Sequence, residues 1–418
     1  MEFVVLGEEE FRTFSKSYPQ ESFMQTVELA HLKEEYGSKV HYVGIKNKKK
    51  ILAATMMLED KTIFSKKMFY APRGLLVDYH DKELLSFFTK ELKQYIKKCG
   101  GFILTIDPNV VYRVRSSDGD ILPDEGKDQI TIDNLLELGY RHHGFNLYLD
   151  ALQARWAYRL PLDEDYETKK SKFSKSTRKN IESCKKKGLM VREGNADDLS
   201  TMTTIFDLTS KRKDFFSRSL SYYQKMYHHM KDLMTIYIAY LDPEVYYQHT
   251  KTLLDEETKV HQELEAKLAS NPTSDKLLKK LETSEALVRK YKTELEHAEQ
   301  FKIDYPKGKD IGCLLSLRSG NEYLTLSSGV LEEYKSFTPK YLMYEHHIQE
   351  AYKEGFKYCN FYGITGDFNP QNKYYGIYEF KKGFNGNVIE YIGQFELPVS
   401  GFYSVYKALK RIKSWFRK

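Results

Sequence analysis

Ten lysines and arginines fall between Lys169 and Arg192 against one acid, Glu182. That run carries +9 in a chain whose net charge is +6, so the remainder sums to −3. A basic element concentrated in an otherwise slightly acidic chain points to a polyanionic partner. The other reading is a solvated helix face, which the mutual repulsion of so many like charges disfavours. Further along, Arg218 and Tyr222 stand four residues apart in the stretch DFFSRSLSY at 214–222. On a helix that spacing puts both side chains on one face, where the arginine fork suits a diphosphate. A helix-start salt bridge with a packed tyrosine is the alternative. Asp107 ends an apolar stretch beside Pro108. A carboxylate there can act as a base or orient an amine at a cleft, or it can cap the following turn. There is no GxSxG elbow, and none of the four cysteines sits in a catalytic motif, so no covalent nucleophile is expected.

These groups need a frame, and the hydropathy pattern outlines one. Val40–Ile45 and Ile51–Leu58 read as strands around the polar turn 46–50. Met68–Tyr79 reads as more strand, punctuated by Pro72 and Gly74. Lys82–Lys98 carries Leu84, Leu85, Phe88, Leu92, Tyr95 and Ile96 at helical spacing, and Phe102–Ile106 is the strand that delivers Asp107. The second half repeats this order. Strands are expected at Met234–Leu241, Ile311–Leu317 and Tyr323–Ser328, a helix at Tyr341–Glu354 and a strand at Tyr358–Tyr362. Two copies of one β–β–β–α–β unit are therefore predicted.

The second copy holds an insertion with ten basic and twelve acidic residues between 244 and 303. After the breaker 270–274, Leu277, Ser284, Tyr291 and Ala298 share one heptad position, and Leu281, Val288 and Leu295 another. Leu253, Val260, Leu264 and Leu268 form a matching stripe before it. The pattern predicts an antiparallel coiled-coil arm, removable between Leu241 and Lys307 because its ends should meet. Its negative balance speaks against a phosphate-binding surface. From Ser404 to Lys418, Val405, Ala408, Leu409, Ile412, Trp415 and Phe416 make one face of a short basic helix. Such a helix rests on an anionic bilayer or packs its apolar face on the body.

With 418 residues, 41% of them hydrophobic and 14% aromatic, the chain can build two globular domains and an appendage. No apolar run is long enough to span a membrane, and MEFVVLGEEEF does not read as a signal peptide. Cys99, Cys184, Cys313 and Cys359 are scattered, which suits reduced thiols of the cytoplasm that bind no metal.

Several motifs recur in one order across nearly the whole chain. They are Val43-Gly44-Ile45-Lys46, Ala71-Pro72-Arg73-Gly74 with Asp78-Tyr79, Ile106-Asp107-Pro108, Thr177–Gly188, Phe361-Tyr362-Gly363 with Gly366-Asp367-Phe368, and Gly376–Asn385. Together they resemble the FemABX family of peptidyltransferases, which builds peptidoglycan cross-bridges; the arm makes the chain similar to the FemA, FemB, MurM and MurN members. The resemblance implies an α+β fold of two tandem acetyltransferase-like (GNAT) mixed α/β domains, at 1–150 and at 151–242 with 306–400. The arm at 243–305 and the basic helix at 401–418 complete the plan. The implied reaction moves an amino acid from aminoacyl-tRNA to the stem peptide of a peptidoglycan precursor, lipid-linked or nucleotide-linked, without cofactor or metal. Consistent with that donor, the Arg/Gln-x-x-Gly-x-Gly loop that holds coenzyme A in ordinary acetyltransferases is absent.

The resemblance also assigns roles. Phe380-Lys381 matches the dipeptide nearest the reacting ester; read alone it is a core phenylalanine and an exposed lysine at a helix start. Lys381 would stabilise the charge that develops on the ester. Arg218 and Tyr222 would grip the precursor, and Lys33 is a second basic contact or an ordinary surface lysine. Arg178, Lys179, Lys185, Lys186 and Lys187 would meet tRNA phosphates. Thr325 stands roughly where family members often carry a substrate-contacting tyrosine. Contact with the inner face of the membrane through the basic helix, and a homo- or hetero-dimer with another family member, are further expectations. The rivals are a non-catalytic precursor-binding or immunity protein, and tRNA-dependent transfer to a protein N-terminus. Retention of Lys381, Arg218 and Tyr222 argues against the first, and the basic tail against the second.

Overall fold

The computed structural model describes residues 1–61, 66–123, 126–148, 152–213 and 217–415; the side chains of Lys213 and 411–415 are not described. Two mixed sheets carry the fold. In spatial order the first is β1 (Glu2–Val5), β2 (Lys39–Asn47), β3 (Lys50–Lys61), β4 (Lys67–Ala71), β5 (Gly101–Ile106), β15 (Phe395–Pro398) and β7 (Arg141–His142). The second is β6 (Val111–Arg115), β14 (Asn387–Tyr391), β8 (Trp156–Pro161), β13 (Tyr358–Gly363), β12 (Glu322–Val330), β11 (Lys309–Ser319), β10 (Met234–Leu241) and β9 (Leu189–Gly194).

The repeated unit is present in both. β2, β3 and β4 pair antiparallel in succession, the Lys82–Lys98 helix crosses over, and β5 returns parallel to β4. In the second sheet β10, β11 and β12 pair antiparallel, the Pro339–Lys353 helix crosses over, and β13 returns parallel to β12. Each crossover helix is set by its ends and its stripe. Asp81 accepts from the Leu84 amide at 3.0 Å and starts the first, which buries Leu84, Leu85, Phe88, Leu92 and Ile96. Pro339 opens the second. Strands are also exchanged: β15 from the end of the chain lies beside β5, and β6 from the first half lies beside β14.

One expected strand is shorter than its composition suggests. Met68–Tyr79 leaves the ladder after Ala71 and meets the sheet again at Leu76, bridged to Ala54. Pro72 has no N–H for the ladder, and Arg73 takes φ 51, outside the extended region. That early departure turns the Arg73 amide back toward the end of β5. A large apolar cluster also joins the two halves. Phe23, Val27, Ala30 and Met56 pack with Met202, Phe206, Met226, Ile236 and Leu315.

The insertion is a hairpin of two helices, Pro243–Ser270 and Asp275–Asp304, that fold back on one another. Ser284 and Ala298 of the expected stripe are buried in it. Its base packs into the body, which bears directly on the expectation that it can be cut at Leu241 and Lys307. Tyr246, Ala298 and Phe301 form one core with Leu189, Leu241, Ile311 and Leu342. Replacing 254–294 by a short Gly/Ser link keeps that core, and the product is expected to melt cooperatively close to the full-length protein. Excision from Leu241 to Lys307 removes it and is expected to aggregate, since losing one buried aromatic side chain costs about 3–5 kcal/mol. Thermal melts of the two deletions decide, and equal melting would show the base to be dispensable.

The C-terminal helix, Phe402–Trp415, is glued down by residues outside the expected stripe. Phe402 and Tyr406 pack edge-on against Phe102, and the Tyr403 hydroxyl donates to Glu396 at 2.8 Å. Lys407 pairs with the same carboxylate at 3.1 Å. Val405 and Leu409 are left 50% and 44% exposed. Phe416, Arg417 and Lys418 lie outside the described residues, as do the side chains of Ile412 and Trp415.

Candidate functional site

The last turn of β13 is irregular. Its register against β8 shifts between Asn360 and Gly363, and Tyr362 adopts φ 62. The Asn360 Oδ1 accepts from the Tyr362 amide at 2.8 Å and holds that conformation. The turned-out carbonyls of Tyr362 and Gly363 then accept from Lys381 Nζ at 3.3 and 2.8 Å. Lys381, on the helix Tyr375–Lys382, is 6% exposed, not the surface lysine its sequence neighbourhood suggests. Among the described residues it has no carboxylate partner. Burial, and then the charge of Lys340, pushes the amine down to about 7. Phe380 beside it packs against Tyr341 and Tyr344, with ring centroids at 5.0 and 4.9 Å.

The same helix abuts the basic segment. Gly383 follows its last turn, and a Cβ there would lie 2.3 Å from Thr177 Oγ1. Only glycine allows this approach, which sets the first turn of the Lys175–Lys186 helix against the end of the helix that carries Lys381. Local pairing subdivides the +9 run. Lys170 and Lys185 both reach the buried Glu345 at 2.8 Å, and Lys169 and Arg192 are also ion-paired. Lys185 is thus committed to the fold. Lys187 is half-buried over the Phe337 ring, at 5.3 Å. Arg178, Lys179 and Lys186 are exposed and make no ion pair among the described residues.

Asp107 follows β5 and is 4% exposed. Its Oδ1 accepts from the Arg73 amide and its Oδ2 from the Tyr70 hydroxyl, both at 2.7 Å. It therefore does not cap the local turn but binds the end of β4. Burial pushes its carboxyl up to about 6, although Arg73 opposes the shift. The Arg73 guanidinium, itself buried, lies 4.4 Å from the Tyr391 ring centre and donates to the Ala154 carbonyl at 2.9 Å. Between Asp107 and Lys381 stand three residues without a role assigned from sequence. Tyr362 Oη donates to Gln153 Oε1 at 2.9 Å, and Gln153 Nε2 donates to Tyr70 Oη at 3.3 Å. Tyr362 belongs to a recognised motif; Gln153 sits in a loop with no sequence signal.

The expected anion grip assembles differently from its expected helix. Arg218 precedes the helix Leu220–Met230, whose cap is Ser219. Its guanidinium still lies over the Tyr222 ring, at 4.9 Å. Lys33 comes from the helix Val27–Glu34 that packs on this one, and Tyr36 meets Tyr222 at 5.7 Å between ring centres. Burial and then the charge of Arg218 hold the Lys33 amine below its usual value. The Asp60 carboxylate acts on Lys33 in the opposite sense. Residues 214–216 of the motif lie outside the described residues. Thr325 is 3% exposed and its Oγ1 has no hydrogen-bond partner, so it is a core residue of β12.

Two cavities complete the picture. One of about 360 Å³ opens beside Phe380 and is lined also by Tyr341, Lys340, Lys335 and Arg212. A larger groove of about 970 Å³ lies at the base of the hairpin and is lined by neither Lys381 nor Asp107. Among the described residues no helix is long and apolar enough to cross a membrane.

Comparison with known proteins places the chain in a family. The aminoacyltransferase FemA of Staphylococcus epidermidis is 30% identical over 417 residues, covering 99% of this chain and 100% of that one. The aminoacyltransferase FemA of Staphylococcus aureus is 29% identical over 420 residues, 99% of each chain. The crystal structure of FemX superposes with a TM-score of 0.75 at 22% identity, over 95% of this chain and 97% of that one. The model of the FemAB family matches residues 6–411, and the chain belongs to that family.

Proposed function

We propose that the chain is an aminoacyltransferase that moves an amino acid from aminoacyl-tRNA onto the stem peptide of a peptidoglycan precursor, building the interpeptide bridge. One observation carries the reading. A buried lysine and a buried carboxylate, both shifted toward neutral pH, share one seam in a chain that aligns end to end with aminoacyltransferases FemA. An aminoacyl ester arrives activated, so the enzyme needs neither nucleophile nor cofactor. It must hold the ester beside an amine, remove one proton and supply another. Asp107 takes the proton from the acceptor's ammonium. The amine attacks the ester carbonyl and the C–O bond to the ribose breaks; Lys381 gives its proton to the departing ribose oxygen and is reprotonated by the second proton that the attacking nitrogen loses as the amide forms. In this reading Phe380 and Tyr341 receive the terminal base of tRNA by stacking.

The phosphates of tRNA lie along Arg178, Lys179 and Lys186. Charge reversal at these three positions is expected to raise the KM for charged tRNA. The slope of log(binding constant) against log(salt) should become shallower by about two to three. Lys185→Gln is expected to alter stability rather than the slope, because Lys185 answers Glu345. An unchanged slope in the triple variant would make the run a solvated face.

Lys33, Arg218 and Tyr222 hold the precursor's diphosphate. The acceptor is lipid-linked, and the exposed Val405 and Leu409, with Lys410 beside them, rest the C-terminal helix on the inner face of an anionic bilayer. The two sheets are read as tandem acetyltransferase-like domains exchanging β6 and β15, and the hairpin as a coiled-coil arm. Incubation with a pool of charged tRNAs and lipid-linked precursor, followed by product mass, tests the function. A mass gain of one amino acid is expected. Binding without any gain would favour the non-catalytic reading.

A further inference from the structure

The hydrogen bonds between Asp107 and Lys381 have a fixed direction. Tyr362 Oη donates to Gln153 Oε1, which leaves Gln153 Nε2 to donate to Tyr70 Oη. With its oxygen already serving as acceptor, Tyr70 directs its own proton to Asp107 Oδ2. The chain cannot be a proton wire. A carboxamide passes a proton only through an unfavourable tautomer, and Lys381 ends on the Tyr362 carbonyl rather than its hydroxyl. It can, however, set orientation. Were the Gln153 amide reversed, its oxygen would face Tyr70 and compete with Asp107 for the phenol proton. The Tyr362 hydroxyl, donating to the amide oxygen at 2.9 Å, holds that oxygen on its own side, and the Tyr70–Asp107 bond, which leaves the Tyr70 oxygen as acceptor, favours the same sense.

We propose that Tyr362, Gln153 and Tyr70 are positioning residues: a polar strut by which the strand end that holds the Lys381 amine keeps the Tyr70 proton on Asp107. The inference rests on the aminoacyl-transfer reading for its consequence and on the hydrogen-bond geometry for its existence. Other groups that face the carboxylate are the Arg73 guanidinium and amide, and the phenols of Tyr79 and Tyr362. None of these is altered when Gln153 is replaced. The Tyr70 hydrogen bond lowers the Asp107 pKa, so weakening it moves that pKa upward.

Three variants give a pattern that loss of packing would not. Tyr362→Phe removes one hydroxyl and frees the amide to reverse. The acid limb of kcat/KM is expected to move up by roughly half to one pH unit, the scale of a single hydrogen bond to a carboxylate. Gln153→Leu removes the competitor as well as the donor and is expected to move the limb less. The double variant is then expected to behave as Gln153→Leu, not as the sum of the two. Thermal melts from pH 4 to 7.5 read the same carboxyl without turnover, and the Tyr362→Phe effect on them should vanish in an Asp107→Asn background. A limb and melts unchanged in Tyr362→Phe, or additive shifts in the double variant, would overturn the strut. Failure of the wild type to transfer would instead count against the proposed function, while the melts still decide on the strut.

Discussion

Lys381→Met is expected to lower turnover by about 10²–10³, the loss typical of removing one donor to transition-state charge. The substitution keeps the length of the stem and the burial, and removes only the amine. In the wild type that amine sits 6% exposed on two carbonyls, with its pKa pushed down to about 7 by burial and Lys340. A group poised there holds a proton at neutral pH yet releases it readily, as a departing ribose oxygen requires. Binding of precursor, assigned to Lys33, Arg218 and Tyr222, should change little. Lys382 provides the control: it pairs with Asp118 at 2.5 Å, and Lys382→Met should retain activity. A second readout needs no substrate. An unfolded lysine titrates near 10.5 and Lys381 near 7, so between these values the unfolded chain binds more protons. Wild-type stability should therefore climb as pH rises through that window. At about 1.4 kcal/mol per unit, the climb amounts to a few kcal/mol. In Lys381→Met it should disappear. Turnover above about a tenth of wild type would remove Lys381 from the chemistry.

Much of this frame was readable because it is periodic. The β–β–β–α–β order, the helix Lys82–Lys98 and the helical insertion all follow from spacing that local forces enforce. Asp107, Lys381, Arg218, Tyr222 and Lys33 could be named from motifs. Their states could not, because burial belongs to the assembled fold. Nothing in GIYEFKKGFN says that Lys381 points inward while Lys382 stays half exposed. Tyr70, Gln153 and Tyr362 come together across separations of 83 and 209 residues, beyond any window. Lys185 shows what a sequence window hides. It looked like a phosphate contact because its partner Glu345 lies on another helix, 160 positions away in number. The docking of the C-terminal helix was hidden for the same reason. Its apolar stripe was visible, but the aromatic residues that dock it, Phe402 and Tyr406, find Phe102 only in the folded chain.

Asp107→Asn is expected to lower kcat/KM by about 10²–10⁴, the range of general base catalysis. Asparagine keeps the shape and one acceptor oxygen but cannot take a proton from the incoming amine. The pH profile separates this from a packing defect. With the wild-type carboxyl pushed up to about 6, kcat/KM should fall below that pH as Asp107 becomes protonated. In the variant the residual rate should be flat there. The melts carry the matching sign. The folded carboxyl binds its proton more tightly than the unfolded one, whose value is 3.8, so wild-type stability should decline as pH rises from about 4 to 6. That decline should be absent from Asp107→Asn. Paired with Lys381→Met the two limbs become separable. Asp107 must be ionised and Lys381 protonated in the same molecule, which confines activity to the interval around pH 6 to 7. Removing the lysine should erase the alkaline limb and leave the acid one; removing the carboxylate should do the reverse. An acid limb near pH 6 that survives in Asp107→Asn would mean that another group takes the proton and that Asp107 serves only to anchor Arg73 and Tyr70.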